Sequence, residues 1–135
     1  MILWKEWGLD QALLKAWQKG IVLTGLSAGS ICWFEEGVTD SYGDQLEPIK
    51  GLGFLKGSHC PHYDGEEERR PAYRRLIKEK KVKPGIAADD GVALHYIGQS
   101  LHKVVCSRKA ASGYYVHLDG TESRETRVEA RFLGD

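Results

Sequence analysis

A short apolar run that ends in a glycine-rich turn constrains the fold of this chain more than any other feature. Residues 21–24 read Ile-Val-Leu-Thr, and residues 25–29 read Gly-Leu-Ser-Ala-Gly. Apolar and β-branched residues bounded by glycine are typical of a strand buried on both faces of a parallel sheet. Bulky side chains resume over 30–36, where we expect a helix. A strand, a tight turn and a helix in this order indicate an α/β fold.

The rest of the chain carries two more helical patterns, and its last third reads as consecutive strands. In chain order, the other predicted elements are a helix over 9–18 with Asp10 as its N-cap and Gly20 after its end, a loop with short strands over 39–56, a strand that ends at Pro61, a helix over 66–81, a strand over 86–88, and β-hairpins over 92–132 with turns at 98–99 and 119–120. This order predicts a single α/β domain over 1–135 with β-hairpins at its C-terminal end.

Composition excludes several classes of function. Nineteen basic and nineteen acidic side chains give a formal net charge of zero, so we expect no general affinity for nucleic acid or anionic lipid. No apolar run approaches the roughly 20 residues of a membrane span. The first residues lack the pattern of a signal peptide, and three cysteines without framework spacing favour a reducing compartment. We therefore expect a cytoplasmic protein.

Residues 25–29 match the nucleophile-elbow pattern G-x-S-x-G. Such an elbow needs a serine at a strained strand-to-helix turn, with small residues on both sides so that strand and helix can pass closely. Ser27 would then be the nucleophile, and the backbone amide of Ala28 would face the developing oxyanion. An ordinary glycine-rich turn between a strand and a helix has the same composition, so the pattern alone leaves both interpretations open.

A serine nucleophile needs a base, and the chain offers five histidines. Three of them alternate with apolar residues in the hairpin region, which is typical of strand surface or packing positions: His95, His102 and His117. His59 and His62 instead lie where a predicted strand ends at a proline, and such strand ends carry function in α/β sheets. A zinc site formed by His59, Cys60 and His62 is the alternative, although no second paired cluster has ligand spacing.

The base in turn needs an acid that orients it. The candidates are Asp40, after the elbow helix, and Asp89 or Asp90, which precede Gly91 at the end of a predicted strand. A plain Asp-Gly turn explains the second pair equally well.

Four blocks of sequence together are similar to one known family. They are Gly-Leu-Ser-Ala-Gly-Ser-Ile-Cys-Trp-Phe over 25–34, Thr-Asp-Ser over 39–41, Cys-Pro-His-Tyr-Asp over 60–64 and Ala-Asp-Asp-Gly over 88–91. They occur in the same order in the peptidase E (aspartyl dipeptidase) family, and the resemblance covers nearly the whole chain. It implies a flavodoxin-like α/β fold related to class I glutamine amidotransferases, in which the elbow carries cysteine instead of serine.

The resemblance also implies roles for individual residues. Members of the family cleave short peptides, with dipeptides that begin with aspartate as the known substrate class. Ser27 is then the nucleophile, His62 its base and Asp90 the acid that orients the base. No metal and no organic cofactor is implied.

Two further features of the family map onto this chain. An aspartate after the elbow helix lies near the site, and Asp40 matches it best. Arginine on the helix after the histidine recognises a substrate carboxylate, so Arg69 or Arg70 would bind the aspartate side chain of the peptide, in a bidentate geometry that lysine cannot match.

The chain also departs from the family pattern at its N-terminus. Family members begin with strands and a glycine-rich loop that resembles a donor of the second oxyanion-hole amide, whereas this sequence starts at about the next helix. We therefore expect an N-terminally truncated, partial fold that either self-associates or receives the missing segment from a partner. An inactive remnant that serves as an interaction module is the alternative. A glutaminase is disfavoured because the elbow carries Ser27, and Cys32 lies further along the helix.

Overall fold

A computed structural model describes residues 1–43 and 45–134 as a mixed α/β structure. Its elements are α1 (Ile2–Glu6), α2 (Leu9–Gln18), α3 (Ala28–Ile31), β1 (Phe34–Thr39), β2 (Glu47–Lys50), β3 (Leu55–Cys60), α4 (Arg69–Lys78), β4 (Gly85–Ala88), β5 (Val92–Ile97), β6 (Ser100–Cys106), β7 (Gly113–Asp119), β8 (Glu122–Val128) and β9 (Arg131–Phe132). Asp44, which falls in the predicted loop over 39–56, and Asp135 lie outside the described residues. None of the helices in these two ranges has the length and apolar character that a membrane crossing needs.

The larger sheet has a parallel centre with antiparallel strands on both sides. Its order is β2-β1-β3-β4-β7-β8, and β3 runs parallel to both β1 and β4. β2 adds to one side and the hairpin of β7 and β8 to the other. All four residues of β4 are buried, as expected for a central strand that is covered on both faces. β5, β6 and β9 form a second, smaller sheet.

Helix α4 and the smaller sheet cover opposite faces of the larger sheet. In β4, Ala87 belongs to the apolar cluster that contains Tyr73 and Ile77 of α4. Its neighbour Ile86 points the other way and packs with Phe34 and with side chains of β5 and β6, among them Leu94. Neighbouring residues of a strand alternate between its faces. Ala87 therefore packs in the part of the core under α4, and Ile86 packs in the part under the smaller sheet.

Most of the predicted elements are confirmed. α2 covers 9–18, β3 ends before Pro61, β4 includes 86–88, and hairpins fill the region after 92. The N-cap prediction was wrong, because Gly8 occupies the position before α2 with φ 70° and no side chain caps the helix. α4 is shorter than predicted.

Two predictions around the elbow were wrong. Residues 21–24 form no strand, because no other strand in the described part of the chain pairs with them, and Ile21 and Val22 are exposed. The predicted helix over 30–36 ends early: α3 stops at Ile31, and β1 begins at Phe34. The pairing of β1 with β2 and β3 overrides the local pattern here, since strand formation depends on neighbours that lie far along the chain.

Truncating the core under α4 should destabilise the whole domain. Ile77 is fully buried between α4 and the sheet, so Ile77→Ala removes apolar contacts and leaves a cavity. We expect a loss of about 2–5 kcal/mol in the free energy of unfolding, measured by urea denaturation. Leu133→Ala, at a side chain that is 64% exposed, is the control and should change the free energy by less than about 0.5 kcal/mol. Equal losses in the two variants would contradict this packing.

Candidate active site

Ser27 lies on a sharp turn between an extended segment and helix α3. Its backbone has φ 53° and ψ −122°, outside the main regions that side-chain-bearing residues occupy, and a conformation of this kind costs about 1–3 kcal/mol. The turn is tight enough that a Cβ atom on Gly25 would overlap the carbonyl oxygen of Gly29. Glycine at position 25 therefore lets the two sides of the elbow pass each other.

The Ser27 hydroxyl lies at hydrogen-bonding distance from His62, which in turn contacts Asp90. Ser27 Oγ is 2.9 Å from His62 Nε2, and His62 Nδ1 is 2.6 Å from Asp90 Oδ1. An ionised carboxylate only accepts hydrogen bonds, so Nδ1 carries the proton of the neutral ring and Nε2 is the acceptor for the serine hydroxyl. The three side chains thus form a chain of hydrogen bonds in the order that proton abstraction from a serine requires.

The parallel strands β3 and β4 bring His62 and Asp90 together. His62 follows β3 after Pro61, and Asp90 follows β4, so both residues lie beyond the carboxyl ends of adjacent strands. The Tyr63 amide donates to the Ala88 carbonyl over 3.0 Å and links the two strand ends. His62 itself has φ 57°, a left-handed conformation that turns the chain immediately after the proline. Side chains that follow parallel strands meet at one edge, which is where open α/β sheets bind ligands.

A second layer of contacts fixes Asp90. Its amide donates to Asp64 Oδ1 over 2.8 Å, and its carbonyl accepts from Arg108 Nε over 2.8 Å. Arg108 also forms an ion pair with Asp64. Partial burial opposes ionisation of Asp64, but the hydrogen bonds from the Asp90 amide and from Arg108 outweigh it and lower the pKa of this carboxyl. Nothing in the local sequence pattern predicts this role of Asp64 and Arg108, because the two residues lie 44 positions apart.

His59 lies beneath the elbow and does not contact Ser27. Its side chain is buried, its Nδ1 is 2.9 Å from the Ile86 carbonyl oxygen, and its Nε2 is 3.1 Å from Ser30 Oγ. Burial lowers the pKa of His59 to about 4, so the ring is neutral at neutral pH. Within the described residues, no three histidine, cysteine, aspartate or glutamate side chains are grouped as a metal site. This geometry gives no support to the alternative zinc interpretation of His59, Cys60 and His62.

The backbone amide of Ala28 is the first of helix α3. It donates to no acceptor in the described part of the chain, and the residue is exposed. It belongs to the residue directly after Ser27, which is the position that the elbow pattern predicts for an oxyanion donor. Ala28 N–H is thus free to donate to an oxygen that develops near Ser27.

Asp40, Arg69 and Arg70 do not reach the site that the resemblance implied for them. Arg69 is 5% exposed, and its guanidinium binds Glu66 and lies 3.3 Å from Asp40. These ion pairs occupy the Asp40 carboxylate and the Arg69 guanidinium. Neither residue is among those that line the cleft at Ser27, so their expected roles stay predictions.

Arg70 is similarly occupied. Its guanidinium forms an ion pair with Glu125 and lies over the rings of Tyr63 and Tyr114, at 5.1 and 4.7 Å from their centroids. The residue therefore joins α4 to β7 and β8. Like Arg69, it does not line the cleft at Ser27, and its expected role in substrate binding stays a prediction.

An open cleft of about 910 Å³ adjoins Ser27, His62 and Asp90. Residues 20–26 and 91–98 line it. Aromatic and aliphatic side chains from other elements also contribute: Trp17, Trp33, Phe34, Phe54 and Leu55. None of the described residues that line it is lysine or arginine. Its polar side chains include Thr24, Asp89 and His95 besides Ser27, His62 and Asp90.

Residues 1–104 match the sequence profile of Peptidase family S51. The chain belongs to this family. A protein of Bacillus subtilis (strain 168) that is described as "Uncharacterized peptidase YgaJ" is 54% identical over 134 residues, which are 99% of this chain and 58% of that protein. The chain thus spans somewhat more than half the length of this relative. No solved structure matches it significantly.

Acid should destabilise this S51 domain through His59. With a pKa of about 4 in the folded state and about 6.5 in the unfolded state, His59 takes up a proton on unfolding between these two pH values. The contribution of His59 to the free energy of unfolding is therefore complete above pH 6.5 and falls by up to about 3 kcal/mol as the pH drops to 4. Urea denaturation of the wild type and of His59→Phe at several pH values measures this contribution. An identical pH dependence in the two proteins would contradict it.

Proposed function

We propose that this chain carries the catalytic centre of a serine peptidase that hydrolyses short peptides, with Ser27 as nucleophile, His62 as general base and Asp90 as the orienting acid. The observation that supports the proposal is the short hydrogen-bonded series from Ser27 Oγ through both nitrogens of His62 to Asp90. Membership of family S51 and the peptidase name of its relative support the same reaction class. The chain spans only 58% of that relative, so the peptidase activity is proposed for this chain and is not taken over from the relative.

The reaction begins with transfer of the hydroxyl proton of Ser27 to Nε2 of His62. Ser27 Oγ forms a bond to the carbonyl carbon of the peptide, and the electron pair of the carbonyl moves to its oxygen. Asp90 stabilises the imidazolium and keeps its Nδ1 proton in place. His62 then gives its proton to the leaving amine as the C–N bond breaks, and an acyl group remains on Ser27. Water hydrolyses this ester by the same steps, with His62 again as the base.

The oxyanion of the tetrahedral intermediate would accept a hydrogen bond from the Ala28 amide. This donor is part of the rigid elbow, so no reorganisation is needed when charge develops. Removing a single oxyanion donor from a serine peptidase lowers the rate on the order of 10²–10³-fold. The Ala28 amide would therefore contribute strongly to stabilising the transition state.

The narrower substrate class, dipeptides with N-terminal aspartate, has less support than the reaction itself. Recognition of an acidic side chain requires a cation, and no lysine or arginine lines the cleft within the described residues. Arg69 and Arg70 are bound to carboxylates of the chain. We therefore infer short peptides as the substrate class, and comparing Asp-Leu with Leu-Leu as substrates measures how far an acidic residue is preferred.

Two broader assignments accompany the proposal. The parallel strands β1, β3 and β4, with Ser27, His62 and Asp90 at one edge, are compatible with the flavodoxin-like arrangement that the resemblance implies. All three cysteines are free and buried, which fits a reducing compartment, and we propose a cytoplasmic location.

Covalent labelling tests the proposed chemistry without depending on a particular substrate. A fluorophosphonate should form an adduct on Ser27, located by mass spectrometry of the digested protein, and Ser27→Ala should form none. His62→Ala should slow labelling by about 10²–10⁴-fold, because the hydroxyl loses its general base. His95→Ala is the matched control, since His95 also lines the cleft but makes no contact with Ser27, and it should react like the wild type.

Two results would contradict the proposal. One is a slower reaction in His95→Ala than in His62→Ala, which would move the base to the hairpin. The other is the absence of any adduct on folded wild-type protein, which would favour the non-catalytic interaction module.

A further inference from the structure

A second serine–histidine pair lies beneath the first. Ser30 Oγ is 3.1 Å from His59 Nε2, whereas Ser27 Oγ is 2.9 Å from His62 Nε2. The two serines are three residues apart in the elbow, and the two histidines are three residues apart where β3 ends. Both pairs therefore connect the same two segments side by side. All four residues border the cleft, but the imidazole of His59 is buried, with 3% of the residue exposed.

The protons of the buried pair can be assigned from its partners. The Ile86 carbonyl oxygen, 2.9 Å from His59 Nδ1, can only accept, so Nδ1 carries a proton. Burial keeps the ring neutral at neutral pH, which leaves Nε2 as an acceptor. Its hydrogen-bond partner in the described part of the chain is the hydroxyl of Ser30. The elbow is thus connected through His59 to the backbone of β4.

Ser30 also supports the strained backbone at the nucleophile. Its Oγ is 2.6 Å from the Ser27 carbonyl oxygen, which also accepts the amides of Ser30 and Ile31 over 2.9 and 3.1 Å. The single hydroxyl proton of Ser30 lies between two acceptors, this carbonyl and His59 Nε2. His59 in turn stacks on Phe34 with 4.9 Å between ring centroids, so its position is fixed by packing as well as by hydrogen bonds.

We propose that Ser30 and His59 are positioning residues that hold the Ser27 hydroxyl at hydrogen-bonding distance from His62. The inference rests on the proposed function of Ser27 and His62 as nucleophile and base. Both residues act through Ser27 and not on the peptide. The contact matters because a displacement of about 1 Å between reacting groups slows an enzyme by about 100-fold, and the Ser27 backbone has no intrinsic preference for its conformation.

Ser30→Ala tests the inference, with Ser58→Ala as its matched control. Ser58 precedes His59 in β3, is fully buried, and its hydroxyl lies 2.6 Å from both the Tyr73 hydroxyl and the Lys83 carbonyl oxygen. Each variant thus removes two hydroxyl contacts, but only Ser30→Ala removes them from the elbow. Both variants should lower the melting temperature, so stability alone does not distinguish them.

The distinguishing measurement is the rate at which a fluorophosphonate labels Ser27. In Ser30→Ala the maximal labelling rate should fall by about 10- to 100-fold, while the reagent concentration for half-maximal rate stays unchanged. Ser58→Ala should label at the wild-type rate, and Ser30→Thr, which keeps the hydroxyl, should recover most of the rate. Labelling of Ser30→Ala at the wild-type rate would overturn the inference while leaving Ser27 as the nucleophile.

An NMR measurement tests the inference independently of reactivity. In protein with ¹⁵N-labelled histidine, the Nε2 resonance of His62 reports the hydrogen bond from Ser27. We expect this resonance to shift toward the value of a free acceptor in Ser30→Ala and to stay unchanged in Ser58→Ala. An unshifted His62 resonance in Ser30→Ala would refute the positioning role even if the wild type did not react with the phosphonate.

Discussion

The parallel pairing of β3 with β4 is the contact on which the candidate site depends. It aligns Ser58, His59 and Cys60 with Gly85, Ile86 and Ala87. The two strands therefore end at the same edge, where the chain turns at Pro61 and at Gly91. His62 and Asp90 meet there because of this register, and the Ile86 carbonyl reaches the His59 ring for the same reason. A shift of one residue in the pairing would direct these side chains to the opposite face of the sheet.

The elbow combines a strained backbone with several polar contacts. The conformation of Ser27 is costly, and the chain offsets this cost with several hydrogen bonds to a single carbonyl oxygen and with a buried imidazole behind the turn. The base is held differently, through Asp90 and the ion pair of Asp64 with Arg108. Nucleophile and base are thus positioned by separate sets of contacts that meet in one 2.9 Å hydrogen bond.

Local sequence patterns predicted the parts of this site that depend on local chemistry. The glycines and small residues around Ser27 indicated the elbow, and Pro61 marked the end of the strand before His62. The patterns narrowed the acid to a few aspartates, and the resemblance favoured Asp90, but only the register of β4 against β3 brings that residue to His62.

The expectations that failed depend on distant partners. Residues 21–24 have the composition of a strand, yet hydrogen bonds to a neighbouring strand are absent in the described residues. The ion pair of Arg70 with Glu125, 55 residues away, leaves no trace in the local sequence. The same is true of the contact of Arg69 with Asp40, 29 residues away, although Glu66, the other partner of Arg69, lies only three residues before it. The same holds for Arg108, whose role behind Asp90 follows from the loop between β6 and β7. Contacts between distant elements therefore determine which charged side chains remain available to a ligand. Local sequence patterns do not predict such contacts.

The whole site depends on the hydrogen bond that His62 Nδ1 donates to Asp90, and proton NMR of the imidazole detects this proton. A proton held in a 2.6 Å hydrogen bond to a carboxylate should give a far-downfield resonance that ¹⁵N labelling assigns to His62 Nδ1. We expect Asp90→Asn to abolish this resonance and Asp40→Asn, at the competing acid, to preserve it. Loss of the signal in Asp40→Asn with retention in Asp90→Asn would contradict the arrangement of the site.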